Sequence, residues 1–130
     1  MSAYPAGMVA RAKSQDRILA KVRALLLALP ETSETASWGH PNFRAGKKTF
    51  AAFHADSSGV PCIWLRVEPG DARILLEDPR FLPSKHGGDR WVALRADGAI
   101  DWAFLRELAR DSHTLVAPKP RAPRPAKRAG

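Results

Sequence analysis

The chain has a single cysteine, Cys62, among its 130 residues. One thiol cannot form an internal disulfide, so nothing in the cysteine content indicates an oxidising compartment. Long apolar runs are also absent. The longest covers residues 24–30, which is far short of a membrane span, and the N-terminus lacks the basic-then-apolar order of a signal peptide. These absences predict a soluble, cytoplasmic protein.

Motifs that carry catalysis are lacking as well. The sequence contains no GxSxG, no phosphate-binding GxxxxGK and no GxGxxG. Asp111, Ser112 and His113 are consecutive, but successive helical residues point about 100° apart and cannot form a hydrogen-bonded relay. Ser112 falls on the apolar stripe of its helix, where a small residue favours close packing. We therefore expect a protein that is not an enzyme.

The histidines do not have the spacing of a metal site. His40, His54, His86 and His113 form none of the close pairs that zinc sites usually show, with each other or with Cys62. His40 and His54 could approach across a hairpin, but two ligands leave a transition metal under-coordinated. We expect surface or hydrogen-bonding histidines, with no metal and no cofactor.

The positive charge is concentrated at the C-terminus. The net charge is +8, yet five of the 21 basic residues follow Ala117 with no acidic residue among them, which leaves 16 basic and 13 acidic residues in the body. A basic, Pro-rich tail attracts any polyanion without reading a sequence. Composition and charge divide the chain into a flexible N-terminus (1–12), one domain (13–117) and a disordered tail (118–130).

Apolar periodicity predicts helices near both ends of the domain. The first covers residues 14–29 and stops at Pro30, and its polar side carries the basic row Lys13, Arg17 and Lys21. The last begins after the N-cap residue Asp101. Its predicted apolar stripe is Phe104, Leu105, Leu108, Ser112 and Leu115.

Short alternating segments between these helices predict strands. They cover residues 42–44, 49–54, 62–67 and 90–95, with a short helix at 71–77 and a loop at 81–89. Helices at both ends and short strands between them indicate an α+β domain. We predict an antiparallel sheet of about four or more strands, with the N-terminal and C-terminal helices packed on one face.

Two loops and one sheet face carry residues suited to nucleic acid. The first hairpin holds Arg44, Lys47 and Lys48, and the second loop holds Lys85, His86 and Arg90. Strand alternation places Trp64, Arg66, Trp91 and Arg95 on the face opposite the core, an arrangement that suits base stacking and phosphate contact. Two alternatives stay open: Trp64 and Trp91 belong to a small second core, or Trp38, Trp64 and Trp91 line a pocket for a protein or small ligand.

Three blocks of sequence resemble the YjbR/MmcQ family of small bacterial proteins. They are WGHPNFRAGKKTFAAF after the Leu-Pro-Glu of residues 29–31, FLPSKHGGDRWVAL, and IDWAFLRELARDSHTLV. The matching positions are Gly39, Pro41, Phe43, Gly46, Lys47, Phe50, Pro83, His86, Trp91, Val92, Ser112, Leu115 and Val116. His113 stands where the family usually has Tyr, a change we expect to alter a surface contact.

The resemblance implies a frataxin-like (CyaY-like), double-wing α+β fold and binding to DNA. Frataxin-like proteins that handle iron carry an acidic patch on the first helix. Here that helix carries Lys13, Arg17, Lys21 and Arg23 against Asp16 alone, which argues against iron handling. The leading hypothesis is a nucleic-acid-binding module with little base specificity.

Overall fold

A computed structural model describes residues 6–84 and 88–118, with side chains described from Gln15 onward. The elements follow the chain in the order α1 (Ala6–Leu27), β1 (Thr32–Ser37), β2 (His40–Ala45), β3 (Lys48–Ala55), β4 (Pro61–Arg66), α2 (Pro69–Leu75), β5 (Phe81–Pro83), β6 (Trp91–Arg95) and α3 (Trp102–Val116). A short 3₁₀ segment, Gly88–Arg90, leads into β6.

All neighbouring strands of the sheet are antiparallel. The order across it is β1-β2-β3-β4-β6-β5, which leaves β1 and β5 at the edges. Helix α3 packs against β3 and β4, α1 against β1 and α3, and α2 against β6. The predicted α+β class, with the terminal helices on one face of an antiparallel sheet, is confirmed.

The core lies between the sheet and the helices. Strand alternation sends Phe43, Ile63, Leu65 and Val92 toward the helices, and each is fully buried. Burial of a side chain of this size contributes about 1.5–3 kcal/mol. The pairing of β2 with β3 shifts after Phe43, so β3 has one extra residue, Phe50, without a partner on β2. Phe50 and its neighbour Ala51 are both fully buried.

Helix α3 has its predicted N-cap, but two of its residues lie in environments that differ from the prediction. The Asp101 carboxylate accepts a hydrogen bond from the Phe104 amide at 3.1 Å, which confirms the predicted N-cap. Leu115, however, is 42% exposed, because the buried stripe runs instead through Leu105, Ala109, Ser112 and His113. The expected surface role for His113 is therefore wrong, since α3 turns that position into the core.

Several element boundaries differ from the prediction. Residues 6–12, assigned to a flexible N-terminus, belong to α1, while residues 1–5 and 119–130 lie outside the described part. The sequence did not predict β1 or β5. Edge strand β1 reads TSETAS, without an apolar alternation, and β5 has only three residues and ends at Pro83. Both form because a neighbouring strand offers backbone hydrogen bonds, not because of their own pattern.

Among the described residues, no helix is long and apolar enough to cross a membrane.

The open sheet face as a candidate nucleic-acid interface

The face of the sheet that points away from the helices, here called the open face, carries both tryptophans of the sheet. Across β4 and β6, Trp64 pairs with Ala93, Arg66 with Trp91, and Cys62 with Arg95. These positions alternate with the buried Ile63, Leu65, Val92 and Leu94, so their predicted common face is confirmed. Trp64 and Trp91 are both partly buried, and the alanines that pair with Trp64 on either side, Ala52 and Ala93, are buried.

A trough of about 790 Å³ lies on the open face. Ala52 of β3, which pairs with Trp64, contributes a small side chain to its floor. Besides Trp64 and Ala52, the trough is lined by Asn42, Thr49, His54, Leu82 and Trp91.

Three stacked rings cross the open face toward Trp64. The ring centroids of His40 and His54 are 4.6 Å apart, and those of His54 and Trp64 are 5.0 Å apart, with interplanar angles of 29° and 17°. The Trp64 indole Nε1 donates a hydrogen bond to the His54 carbonyl oxygen at 3.1 Å, which fixes the ring orientation. The two histidines of the first sequence block thus support Trp64, and among the described residues no group of three or more His, Cys, Asp or Glu could hold a metal.

The predicted cationic residues of this face differ in availability. The Arg66 guanidinium lies 6.0 Å from the centroid of Trp91, so the pair presents a cation on an aromatic surface. Arg95 instead forms a bidentate pair with Asp97, at 2.7 Å from Nη2 and 3.2 Å from Nε. This pair lowers the pKa of Asp97 and balances the charge of Arg95. Of the two arginines, Arg66 is the better phosphate contact.

Arg44 lies on the open face across from Thr49. Its Nη2 donates to the Lys47 carbonyl oxygen at 2.7 Å, while its Nε is buried and has no hydrogen-bond partner among the described residues. A buried donor without a partner is unfavourable and is usually satisfied by a water molecule or a bound ion. Through its bond to Lys47, Arg44 also supports the β2–β3 turn, here called the lysine turn.

The two basic loops lie at the same end of the sheet. The β2–β3 turn carries Lys47 and Lys48, and the β5–β6 connection ends at Arg90. Both follow strands that run toward the end where β4 finishes at Arg66, here called the Arg66 end. Three strand spacings of about 4.8 Å separate the loops, or roughly 14 Å. Lys85 and His86 lie outside the described residues.

The opposite end of the trough is acidic. The Asp56 carboxylate, which lines it, accepts hydrogen bonds from the Ser58 hydroxyl at 2.8 Å and from the Ser58 and Val60 amides at 2.9 Å. These bonds lower the pKa of Asp56. The open face therefore has Arg66 toward one end of β4 and the Asp56 carboxylate beyond the other end.

Trp38 is not part of the trough. It forms the β1–β2 turn with Gly39, is 94% exposed, and adopts a left-handed backbone with φ of 57°. Strand β2 runs from that turn to the lysine turn, so Gly39 and Gly46 lie about 23 Å apart at opposite ends of the strand. The prediction that Trp38, Trp64 and Trp91 line one pocket is wrong for Trp38, because successive hairpin turns point in opposite directions.

The basic row of the first helix also lies away from the open face. Helix α1 packs on the helical side of the sheet, where the Lys21 ammonium is 5.0 Å from the ring centroid of Trp102. Arg23 is bound by Glu34 of β1 through two contacts of 2.8 Å. The side chain of Lys13 lies outside the described set. This row does not flank the basic loops.

The YjbR family model matches residues 27–115, a span that contains the whole sheet. The chain belongs to the YjbR family. That assignment confirms the resemblance carried by the three sequence blocks. No curated protein matches the chain.

Solved structures support the fold. A Pseudomonas syringae protein is similar with a TM-score of 0.59 and 20% identity, over 67% of this chain and 88% of that one. A Deinococcus radiodurans protein described by the family domain DUF419 is similar with a TM-score of 0.62 and 23% identity, over 75% of this chain and 76% of that one. Neither description names a ligand or a catalytic activity.

Sequence reasoning found the aromatic and basic residues of the YjbR open face but missed the trough between them. Its signal was available in Ala52, which occupies an outward position in an alternating strand where most surface strands carry a long polar side chain. The stacking of His40, His54 and Trp64 depends on the β2–β3 and β3–β4 registers, which no local pattern specifies.

Proposed function

We propose that this protein is a non-enzymatic, cytoplasmic module that binds nucleic acid, DNA in particular, through the open face and the two basic loops. The supporting observation is that Arg66 and both loops lie at the same end of a sheet whose open face carries a trough lined by Trp64 and Trp91. Cations at that end suit phosphates, and partly exposed indole rings suit bases. A single strand fits this site better than a duplex, because only unpaired bases can stack on the tryptophan rings.

Low base specificity is expected from these contacts. Lys47 and Lys48 are exposed, and Arg66 lies over Trp91 without a side-chain hydrogen bond to any of the described residues. Mobile cations recognise phosphate charge and not base edges. Affinity should therefore fall steeply with salt, because binding releases counterions from the strand.

Any test must distinguish binding by the basic tail from binding by the domain. A full-length variant with Lys119, Arg121, Arg124, Lys127 and Arg128 replaced by Gln removes the tail charge and keeps the chain length. Binding of labelled single-stranded and duplex oligonucleotides of equal length would be titrated from about 50 to 200 mM salt. If this variant has no affinity even at the lowest salt, the domain is not the binding element and the proposal fails.

A matched pair of triple variants locates the site. Lys47→Ala, Lys48→Ala and Arg66→Ala remove three charges from the Arg66 end, while Arg73→Ala, Arg106→Ala and Arg110→Ala remove three exposed charges from α2 and α3. In the tail-neutralised background, the first set should lower the logarithmic salt slope for a single strand by about 2. Equal effects from the two sets would show that binding is not at the open face.

A protein or small-ligand-binding domain is the second candidate. The trough volume of about 790 Å³ falls in the range of small-molecule sites, which run from about 300 to 1,000 Å³. Tryptophan fluorescence measured against a panel of metabolites would test it. Unchanged emission across the panel would contradict this candidate.

A further inference from the structure

We infer that residues 120–127, in the basic and Pro-rich tail, dock in a groove between α2 and α3 of their own chain. The groove, here called the α2–α3 groove, has an apolar floor and carboxylates along its rim. It lies on the helical side of the sheet and not on the open face, so the inference does not rest on the proposed function. The occupant is a segment that lies outside the described residues.

The α2–α3 groove exposes large apolar side chains and has a volume of about 420 Å³. Ile74 and Leu75 of α2 and Leu108 and Leu115 of α3 are part of its lining. Ile74 is 67% exposed and Leu115 is 42% exposed, although both are large aliphatic residues. Neighbouring apolar side chains left open to solvent in this way mark an interaction surface.

The charge of the groove selects a cationic occupant. The carboxylates of Glu68, Asp71 and Asp111 line it, and all three residues are exposed. In the described part of the chain, no side-chain hydrogen bond or ion pair involves them. The basic residue of the lining, Arg66, has its guanidinium over the ring of Trp91 on the open face. The groove therefore has unbalanced negative charge beside its apolar floor, which a basic segment with apolar residues complements.

The tail has the matching pattern, with a repeat of three residues. A polyproline II helix has three residues per turn, so residues spaced by three share one edge of it. In this tail one such edge is basic and another is apolar. The basic edge consists of Arg121, Arg124 and Lys127, and the apolar edge consists of Pro120, Pro123 and Ala126. In that conformation the segment would place its prolines on the groove floor and its cations, about 9 Å apart, along the carboxylates.

The tail leaves the domain within reach of the groove. Ala117 has φ of −61° and ψ of 144°, in the polyproline II region, and Pro118 lies over the lysine turn, close to Gly46. That turn and Arg66, at the edge of the groove, are about two strand spacings apart, or roughly 10 Å. Residues 119–130 extend about 37 Å at about 3.1 Å per residue, so they can bridge this distance and still follow the groove.

Charge near the exit point also favours the groove. Lys47 and Lys48 are exposed on the lysine turn beside Pro118, and they repel a basic tail from that side. The carboxylates of the groove attract it. Tail cations that are paired in the groove are not free to bind a polyanion, so docking would lower the tail's own contribution to such binding.

Nuclear magnetic resonance of full-length protein with isotope-labelled Ile and Leu methyl groups tests the docking. The wild type is compared with the tail-neutralised variant. The methyl resonances of Ile74, Leu108 and Leu115 should differ between the two proteins, whereas those of Leu82, which lines the trough on the open face, should not. Raising the salt from about 0.1 to about 1 M shortens the Debye length from about 10 to about 3 Å, and should move the wild-type groove resonances toward those of the variant. Identical groove resonances in the two proteins, or a difference at Leu82 alone, would overturn the inference.

Paired acid variants place the tail in the groove. Asp71→Asn with Asp111→Asn removes two groove carboxylates, while Asp16→Asn with Asp97→Asn removes the same charge from α1 and from the chain after β6. The first pair should abolish most of the tail-dependent difference at Ile74, and the second pair should preserve it. Equal effects would show that net charge and not the groove causes the difference, against the inference.

A charge swap then identifies the paired residues. Asp71→Lys with Asp111→Lys should release the tail, and adding Arg121→Glu and Arg124→Glu should restore the shifts at the groove with the charges exchanged. A swapped protein whose groove resonances stay at the released positions would contradict the pairing.

Dilution distinguishes the chain's own tail from that of a second copy. A segment on a short tether has an effective concentration of about millimolar, so the groove resonances should not change when the protein is diluted. Shifts that disappear on dilution would place the tail of another molecule in the groove and overturn docking within one chain.

Discussion

The imidazole of His113 donates a hydrogen bond from Nε2 to the carbonyl oxygen of Pro30 at 2.7 Å, although 83 residues separate them in the chain. A carbonyl oxygen only accepts, so the proton is on Nε2. The ring also meets Phe50 edge-on, with centroids 5.3 Å apart. One buried side chain thus ties the last helix to the segment between α1 and β1.

Replacement of His113 by Phe should destabilise the domain. It would leave the Pro30 carbonyl oxygen without its donor, at a cost of about 1–3 kcal/mol in the free energy of unfolding. Urea unfolding of the variant measures the change. Thr114→Ala, at the exposed neighbouring position, is the control and should change the value by less than about 0.5 kcal/mol. A Phe variant as stable as the wild type would show that the bond contributes nothing.

Trp38 occupies a strained position, and its replacement by Asn should stabilise the domain. The two turn residues, Trp38 and Gly39, have φ of 57° and 79°, a combination for which Asn-Gly is the preferred pair. Asn tolerates the left-handed region, where other side chains cost about 1–2 kcal/mol. Thermal unfolding should show a higher midpoint for Trp38→Asn and no change for Ser37→Asn in the adjacent strand. A lower midpoint for Trp38→Asn would mean that the exposed indole makes a stabilising contact.

Two glycines with similar backbones should respond differently to alanine. Gly39 and Gly46 have φ of 79° and 65°, but only at Gly46 would a Cβ come within 2.8 Å of Pro118 Cγ. Gly46→Ala should cost about 1–3 kcal/mol more than Gly39→Ala, because the added methyl overlaps the proline ring. Adding Pro118→Ala should remove that excess, as measured by denaturant unfolding. Equal costs for the two glycines would mean that Pro118 moves aside freely.

Burial raises the pKa of the Cys62 thiol from 9.0 to about 11. As the pH rises, the unfolded chain loses this proton before the folded chain does. The stability linked to Cys62 is therefore fully present below about pH 9 and is lost as the pH rises through about 11. Over that window the wild type should lose more stability than Cys62→Ala, which lacks the group. Parallel declines in melting temperature for both proteins would contradict the linkage. In the folded protein, the thiol should also react with alkylating reagents far more slowly than in denaturant.

Strong local patterns were sufficient to predict the central strands of the sheet. Alternation in residues 62–67 and 90–95 fixed both the strands and the face of each side chain, because the side-chain period of a strand is two. The edge strands were missed since β1 has no apolar alternation and β5 is three residues long. Leu115 and His113 were assigned to the wrong environments because a helix only a few turns long tolerates a small rotation of its buried stripe.

The sequence by itself determined the family, the α+β class and the common face of Trp64, Arg66 and Trp91, since motif spacing and alternation are properties of the chain alone. Only the tertiary structure decided which of these residues act together. Strand order placed both basic loops at the Arg66 end of the sheet. The register of the strands stacked His40 on His54, and His54 on Trp64. The direction of the β1–β2 hairpin placed Trp38 at the opposite end of the sheet. These relationships depend on pairings between residues distant in sequence, which local periodicity does not encode.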